Sequence, residues 1–166
     1  MTKKPKRFRE TILFLAQKLR DCQYAFRGTA GLVLQGIEMK VDDIDVLCDE
    51  ETALKCNSLL KDFSIDEVGY KESDKFKSFF GKFEVKGIHV EVMGDWQIKD
   101  TKGVWGQLFD AGDSQRKRIL FAGEKIWVTK TETELAMFAQ MGRWTAYQKI
   151  KKQLKAPKED YQQKLF

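Results

Sequence analysis

The chain is poor in proline, cysteine and histidine, and it has no long apolar run. Two prolines and 12 glycines in 166 residues, with no internal repeat, exclude collagen-like and low-complexity classes. The longest unbroken apolar stretch, residues 12–16, is far too short to cross a bilayer, so no membrane partner is expected. The basic residues 1–7 lack the apolar segment and small-residue cleavage site of a secretory leader, and none is expected. Cys22, Cys48 and Cys56 are odd in number and match no zinc-ligand spacing, so they read as buried thiols in a reducing cytoplasm. What is present is ordinary globular composition: 42% hydrophobic, 33% charged and 12% aromatic, in a length that suits one domain with one core.

The net charge of +5 is unevenly spread. Residues 1–10 carry +4 and residues 143–166 carry +5, which leaves the middle of the chain acidic at −4. An acidic centre between basic arms suits a cation site with polyanions drawn around it, although basic tails also serve solubility alone.

Periodicity and turn residues predict helix, strand, helix, strand, helix, strands, helices. Apolar positions 8, 12, 15, 16 and 19 make a helix of residues 8–24, and a short strand at 24–27 stops at Gly28. A second helix runs from 29 to Gly36, whose left-handed conformation would end it. Residues 43–48 alternate acidic and apolar, as a two-faced strand does, and Asp49 caps a helix to about residue 61. Strands follow at 64–70, 78–85 and 88–93, the last two joined at Lys86-Gly87. Residues 94–117 read mostly as loop, and 118–121 with 125–129 as a hairpin around Gly123. Thr131 and Glu134 form a capping box that opens a helix to Met141, and Gly142 separates it from a last helix over 143–154. The expected class is α+β: a small mixed sheet flanked by helices, with a core at 8–130, a C-terminal helical pair at 131–155, and tails at 1–7 and 156–166.

The informative stretch runs from Arg27-Gly28-Thr29 to Asp43-Ile44-Asp45. Strand residues two apart share a face, ~7 Å apart along the chain. Asp43 and Asp45 therefore point one way while Ile44 and Val46 enter the core. Carboxylates held so close repel, and hard oxygen ligands of this kind suit Mg²⁺. Glu91, alone between Val90 and Val92 on another strand, is the candidate third acid of a two-metal clamp. Gly28-Thr29, between a strand and a helix, offers backbone N–H groups and a hydroxyl suited to phosphate.

This pattern resembles the DNA polymerase β-like nucleotidyltransferase superfamily. The residues that carry the resemblance are Gly28-Thr29, thirteen residues, Asp43-Ile44-Asp45-Val46, and Glu91. It is also similar to small stand-alone bacterial nucleotidyltransferase-like proteins in Val90-Glu91-Val92-Met93-Gly94-Asp95-Trp96 and in the helical pair broken at Gly142-Arg143, so the likeness covers residues 10–155. Arg27 departs from it, standing where many relatives have a glycine or another small residue.

The resemblance implies Mg²⁺ on Asp43, Asp45 and Glu91, with ATP or another NTP as donor. It also implies Gly28 N–H and Thr29 Oγ on the β- and γ-phosphates, and a hydroxyl acceptor attacking the α-phosphate. Arg27, Lys130, Arg143 and Lys149 are the cations available to the triphosphate. The acceptor is left open between a small molecule, a tRNA end and a protein side chain, with a homodimer or partner protein able to complete the pocket. A nucleotide-binding module without turnover, or an RNA-binding domain, are the readings from other classes. His89 on the strand of Glu91, Asp95 past its end, Trp96 and Trp105 as stacking rings, and the triplet Arg116-Lys117-Arg118 are further candidates, while nothing near Cys48 activates its thiol.

Overall fold

The structure, a computed structural model, describes residues 3–155. Among the described residues it is α+β, as expected: five α-helices and one mixed seven-stranded sheet. The helices are α1 Lys3–Lys18, α2 Gly28–Leu34, α3 Glu50–Leu59, α4 Thr131–Gln140 and α5 Trp144–Lys155. The strands are β1 Tyr24–Arg27, β2 Ile44–Cys48, β3 Ser64–Glu72, β4 Phe76–Val85, β5 Ile88–Ile98, β6 Arg116–Phe121 and β7 Glu124–Thr129, in the spatial order β3-β4-β5-β2-β1-β7-β6. Of the expected tails, residues 1, 2 and 156–166 lie outside the described residues, and residues 3–7 belong to α1. No helix among the described residues is long and apolar enough to cross a membrane.

The main core lies on one face of the sheet. Ile44 and Val46 of β2, Val90 and Val92 of β5, and Phe83 and Val85 of β4 pack there against Phe8, Ile12 and Leu15 of α1 and Ala53 and Cys56 of α3. The opposite face carries a smaller cluster of Ala25, Leu47, Met93, Trp96, Phe109 and Met137, which leaves room for a cleft. Leu32, Phe138 and Ile150 join α2, α4 and α5.

Local signals hold where neighbours set them. Asp49 accepts from Thr52 N at 2.9 Å, and Gly36 at φ 90° follows the end of α2. Lys86 and Gly87, both at positive φ, form the tight β4–β5 turn. Three expectations are corrected. α1 starts five residues earlier, with Pro5 in its first turn where a missing N–H costs nothing, and ends at Lys18 rather than at residue 24. β5 continues to Ile98 through the expected loop. Asp95 and Trp96 together face Ser78 alone, and this bulge, with Asp95 at φ 49°, lets the strand go on. The capping box does not form. Lys130 is the N-cap with no side-chain bond, and Glu134 turns inward.

Gly94 lies where β5 crosses α3. A Cβ there would stand 2.6 Å from Ala53 Cβ and 2.8 Å from the Asp49 carbonyl oxygen. Gly94→Ala is expected to cost about 1–3 kcal/mol by overpacking, read as a lower urea midpoint. Cys48 and Cys56 are fully buried, and burial pushes the Cys56 thiol up to about 12, whereas Cys22 is half-buried. Iodoacetamide is therefore expected to label Cys22 alone in the folded protein and all three cysteines after denaturation, read by intact mass. Labelling of Cys48 before unfolding would contradict this core.

Candidate active site

The register of four strands builds a charged row across one sheet face. Arg27 of β1 pairs with Asp45 of β2, and Asp45 with Glu91 of β5. Next to Glu91 comes Lys82 of β4. Cross-strand partners share a face, so these side chains rise together. The polar floor exists because period-2 alternation sends Ile44, Val46, Val90 and Val92 to the other face.

Arg27 is buried within this row. Its Nη1 lies 3.6 Å from Asp45 Oδ2, its Nη2 lies 3.8 Å from Glu134 Oε2, and its guanidinium stacks 4.6 Å from the Trp96 ring centre. Glu134 is fully buried on α4, and its Oε1 accepts from Gly28 N–H at 2.9 Å. Gly28 must be glycine, because it sits at φ 67° and a Cβ would stand 2.8 Å from Asp45 Oδ2. Glu134, Arg27 and Asp45 thus alternate minus, plus, minus behind the glycine turn. Burial raises the Asp45 carboxyl to about 6. Arg27 opposes the rise, and the carboxylates of Glu91, Glu134 and Asp43 add to it. Burial likewise pushes Glu134 up, against Arg27, the Gly28 N–H and the Thr129 hydroxyl.

Arg27, Asp45 and Glu91 of this row form the floor of a cavity of about 440 Å³ between the sheet and α4–α5, with Lys82 outside its lining. Arg27, Gly28, Thr29, Asp45, Glu91, Trp96 and Arg143 all line it. Asp43 sits one residue before β2, exposed and outside the lining. Of the cations named from sequence, Lys130 and Lys149 stay outside, while Arg143 reaches in across the Phe138 ring at 5.2 Å.

The other candidates are placed elsewhere. His89 Nε2 stands 3.7 Å from Glu91 Oε1. Asp95 faces the start of α3, accepting from Glu50 N at 3.3 Å. Trp105 lies between the Lys77 and Lys99 ammonium groups, outside the cavity. Arg116 and Arg118 stack on Trp127, 3.8 and 4.7 Å from its ring centre. Cys48 is sealed in the core with its thiol pushed well up by burial.

Two groups were missed from sequence. Glu134 was taken for a cap, although it shares a helix face with Met137, Phe138 and Met141, and that spacing marks it as an inward acid. In the aromatic wall, Phe80 falls in the strand expected at 78–85, while Phe76 lies outside every element expected from sequence.

Among the described residues, no three His, Cys, Asp or Glu side chains gather closely enough to hold an ion as they stand. The donor set nevertheless fits a hard divalent cation in kind. Asp45 and Glu91 are adjacent carboxylates on a cavity floor, and carboxylate oxygens are the ligands such an ion takes.

No protein-family model and no curated protein matches the chain. Solved structures do. A candidate nucleotidyltransferase of Thermotoga maritima superposes with TM-score 0.69 at 28% identity, covering 88% of this chain and 94% of that one. The lincosamide antibiotic adenylyltransferase LnuA, solved with lincomycin, gives TM-score 0.53 at 17% identity over 86% of this chain and 93% of its own. ANT(2″)-Ia, solved with adenylyl-2″-tobramycin, gives TM-score 0.51 at 14% identity over 87% and 86%. The latter two share the fold. With its fold, its sheet register and the glycine turn beside paired carboxylates all in agreement, the chain has a nucleotidyltransferase-like fold and is similar to the candidate nucleotidyltransferase of Thermotoga maritima.

Proposed function

We propose that this protein transfers a nucleoside monophosphate from an NTP to a hydroxyl group, with Mg²⁺ as cofactor. The observation that carries the reading is the neighbouring pair Asp45–Glu91 on the floor of a cavity entered by the Gly28-Thr29 turn. Asp45 and Glu91, with Asp43 at the rim, would hold Mg²⁺, which when bound neutralises triphosphate charge and acidifies the acceptor hydroxyl. Thr29 and Arg143 line the same cavity, and in this reading the Thr29 hydroxyl and the Arg143 guanidinium would donate to phosphate oxygens. The Gly28 N–H, expected from sequence to do so, is engaged by Glu134, so its contribution is the shape of the turn. The acceptor hydroxyl attacks the α-phosphate in line and pyrophosphate leaves, the protein supplying position and charge. Cytoplasmic placement belongs to the same reading and is supported by the free thiols.

One observation favours a second reading, a nucleotide-binding module without turnover: Arg27 already stands 3.6 Å from Asp45, in a place a metal ion would compete for. Calorimetry with each NTP, with and without Mg²⁺, followed by a pyrophosphate-release assay, separates the two. Mg²⁺-dependent binding with release supports transfer, and binding without release under every acceptor class supports the module.

A further inference from the structure

The charged row divides the cavity into two ends. Across the sheet the order is β4, β5, β2, β1. The Gly28-Thr29 turn follows β1, and Asp45 and Glu91 stand on β2 and β5. Phe76 and Phe80 belong to β4, beyond Glu91. An in-line displacement requires the attacking oxygen and the leaving pyrophosphate on opposite sides of the reacting phosphorus. If phosphates occupy the glycine turn, the acceptor enters from the β4 side.

That side carries an aromatic wall, with Lys71, Glu72, Ser73 and Ser78 around it and the Lys71 ammonium 5.4 Å from the Phe80 ring centre. Phe80 and Met93 are cross-strand partners, and the bulge at Asp95 brings Trp96 beside them. The Phe76 ring lies 5.7 Å from Trp96 and remains 36% exposed. Phe138 of α4 and Met141 at its C-cap close the cavity from the helical side. The charges of the lining cancel: Arg27, Lys71 and Arg143 against Asp45, Glu72 and Glu91. Several are already engaged, since Lys71 pairs with Asp66 outside the cavity and Glu72 accepts from the Tyr70 hydroxyl at 2.7 Å. A polycationic acceptor finds no surplus of acid here, and a nucleic-acid backbone finds no cationic track. A volume of about 440 Å³ is that of a small-molecule site.

We infer that the acceptor is a neutral small molecule with an apolar, aromatic-sized body and one hydroxyl directed at Asp45 and Glu91, gripped by the Phe76–Phe80–Trp96 wall. This rests on the nucleotidyl-transfer reading and deepens it.

The test uses three probes on the full-length protein by calorimetry: 2-naphthol as a neutral aromatic alcohol, tobramycin as a polycationic polyol, and Mg·ATP. It compares the wild type with Phe76→Ser and Phe76→Leu. Phe76 is partly exposed, so the fold should tolerate both changes, and a melting curve checks that. The expected result is 2-naphthol binding that weakens about tenfold in Phe76→Ser, largely returns in Phe76→Leu, and exceeds tobramycin binding, with Mg·ATP affinity unchanged within twofold. Tighter binding of tobramycin, absence of 2-naphthol binding, or equal loss of Mg·ATP affinity in Phe76→Ser would overturn the inference, the last by showing that the wall holds the nucleotide base. Failure of the parent reading has a different signature: no pyrophosphate release from any NTP even with 2-naphthol present, while the Phe76-dependent binding persists.

Discussion

Asp45→Asn is expected to abolish pyrophosphate release from every NTP while the melting temperature stays level or rises. The loss should be on the order of a thousandfold or more, the scale seen when a group that stabilises developing charge is removed. Asparagine keeps the shape beside Gly28 and removes the charge that, with Glu91, would hold the proposed cation. Stability moves the other way for a separate reason. The Asp45 carboxylate is penalised by burial and crowded by the charges of Glu91, Glu134 and Asp43, and Arg27 keeps Glu134 as a partner when Asp45 is neutral. The two measurements belong on one protein sample. Retained release would remove Asp45 from the active site, and a collapse in melting temperature would make its role structural.

The largest stability effect is expected at Glu134. Glu134→Ala leaves the Gly28 N–H without its acceptor and one side of the buried Arg27 uncompensated. Breaking a buried pair by removing one partner costs about 3–5 kcal/mol, and with Asp45 still beside Arg27 the low end applies, a fall on the order of 10 °C in melting temperature. Glu134→Gln keeps an acceptor for Gly28 and separates shape from charge. The sign of its pH dependence follows from the raised carboxyl. A folded-state value above the unfolded one means that the native state binds the proton more tightly. That stabilisation is complete below the ordinary carboxylate range and is lost as pH rises through the raised value. The Gln variant should therefore gain on the wild type as pH is raised from acidic to neutral, in paired thermal melts. A difference that does not change with pH would show that the Glu134 charge is not the penalised one.

Read alone, the sequence carried the elements and the acidic pattern. Ile44, Val46, Val90 and Val92 mark two strands by alternation, and the same alternation puts Asp45 and Glu91 on the opposite face. Asp49, Gly36 and Lys86-Gly87 mark ends and turns because their chemistry acts on immediate neighbours. Beyond the two hairpins at Lys86-Gly87 and Gly123, strand pairing was not contained in any such local signal. That β2 lies between β1 and β5, with Arg27 and Glu91 on either side of Asp45, follows from which hydrophobic faces pack together across the whole chain. The Asp95 bulge, which brings Trp96 into the cavity wall, needs β4 alongside to exist. Glu134 is the clearest case. Three residues after Thr131 it has the spacing of a helix cap, yet it reaches Gly28 across 106 positions, because α4 folds back over the glycine turn and its inward face is buried whatever residue stands there. Local chemistry decides the elements; only the close approach of distant ones decides which acids line the cavity floor, which one is sealed against arginine, and which rings form the cavity wall.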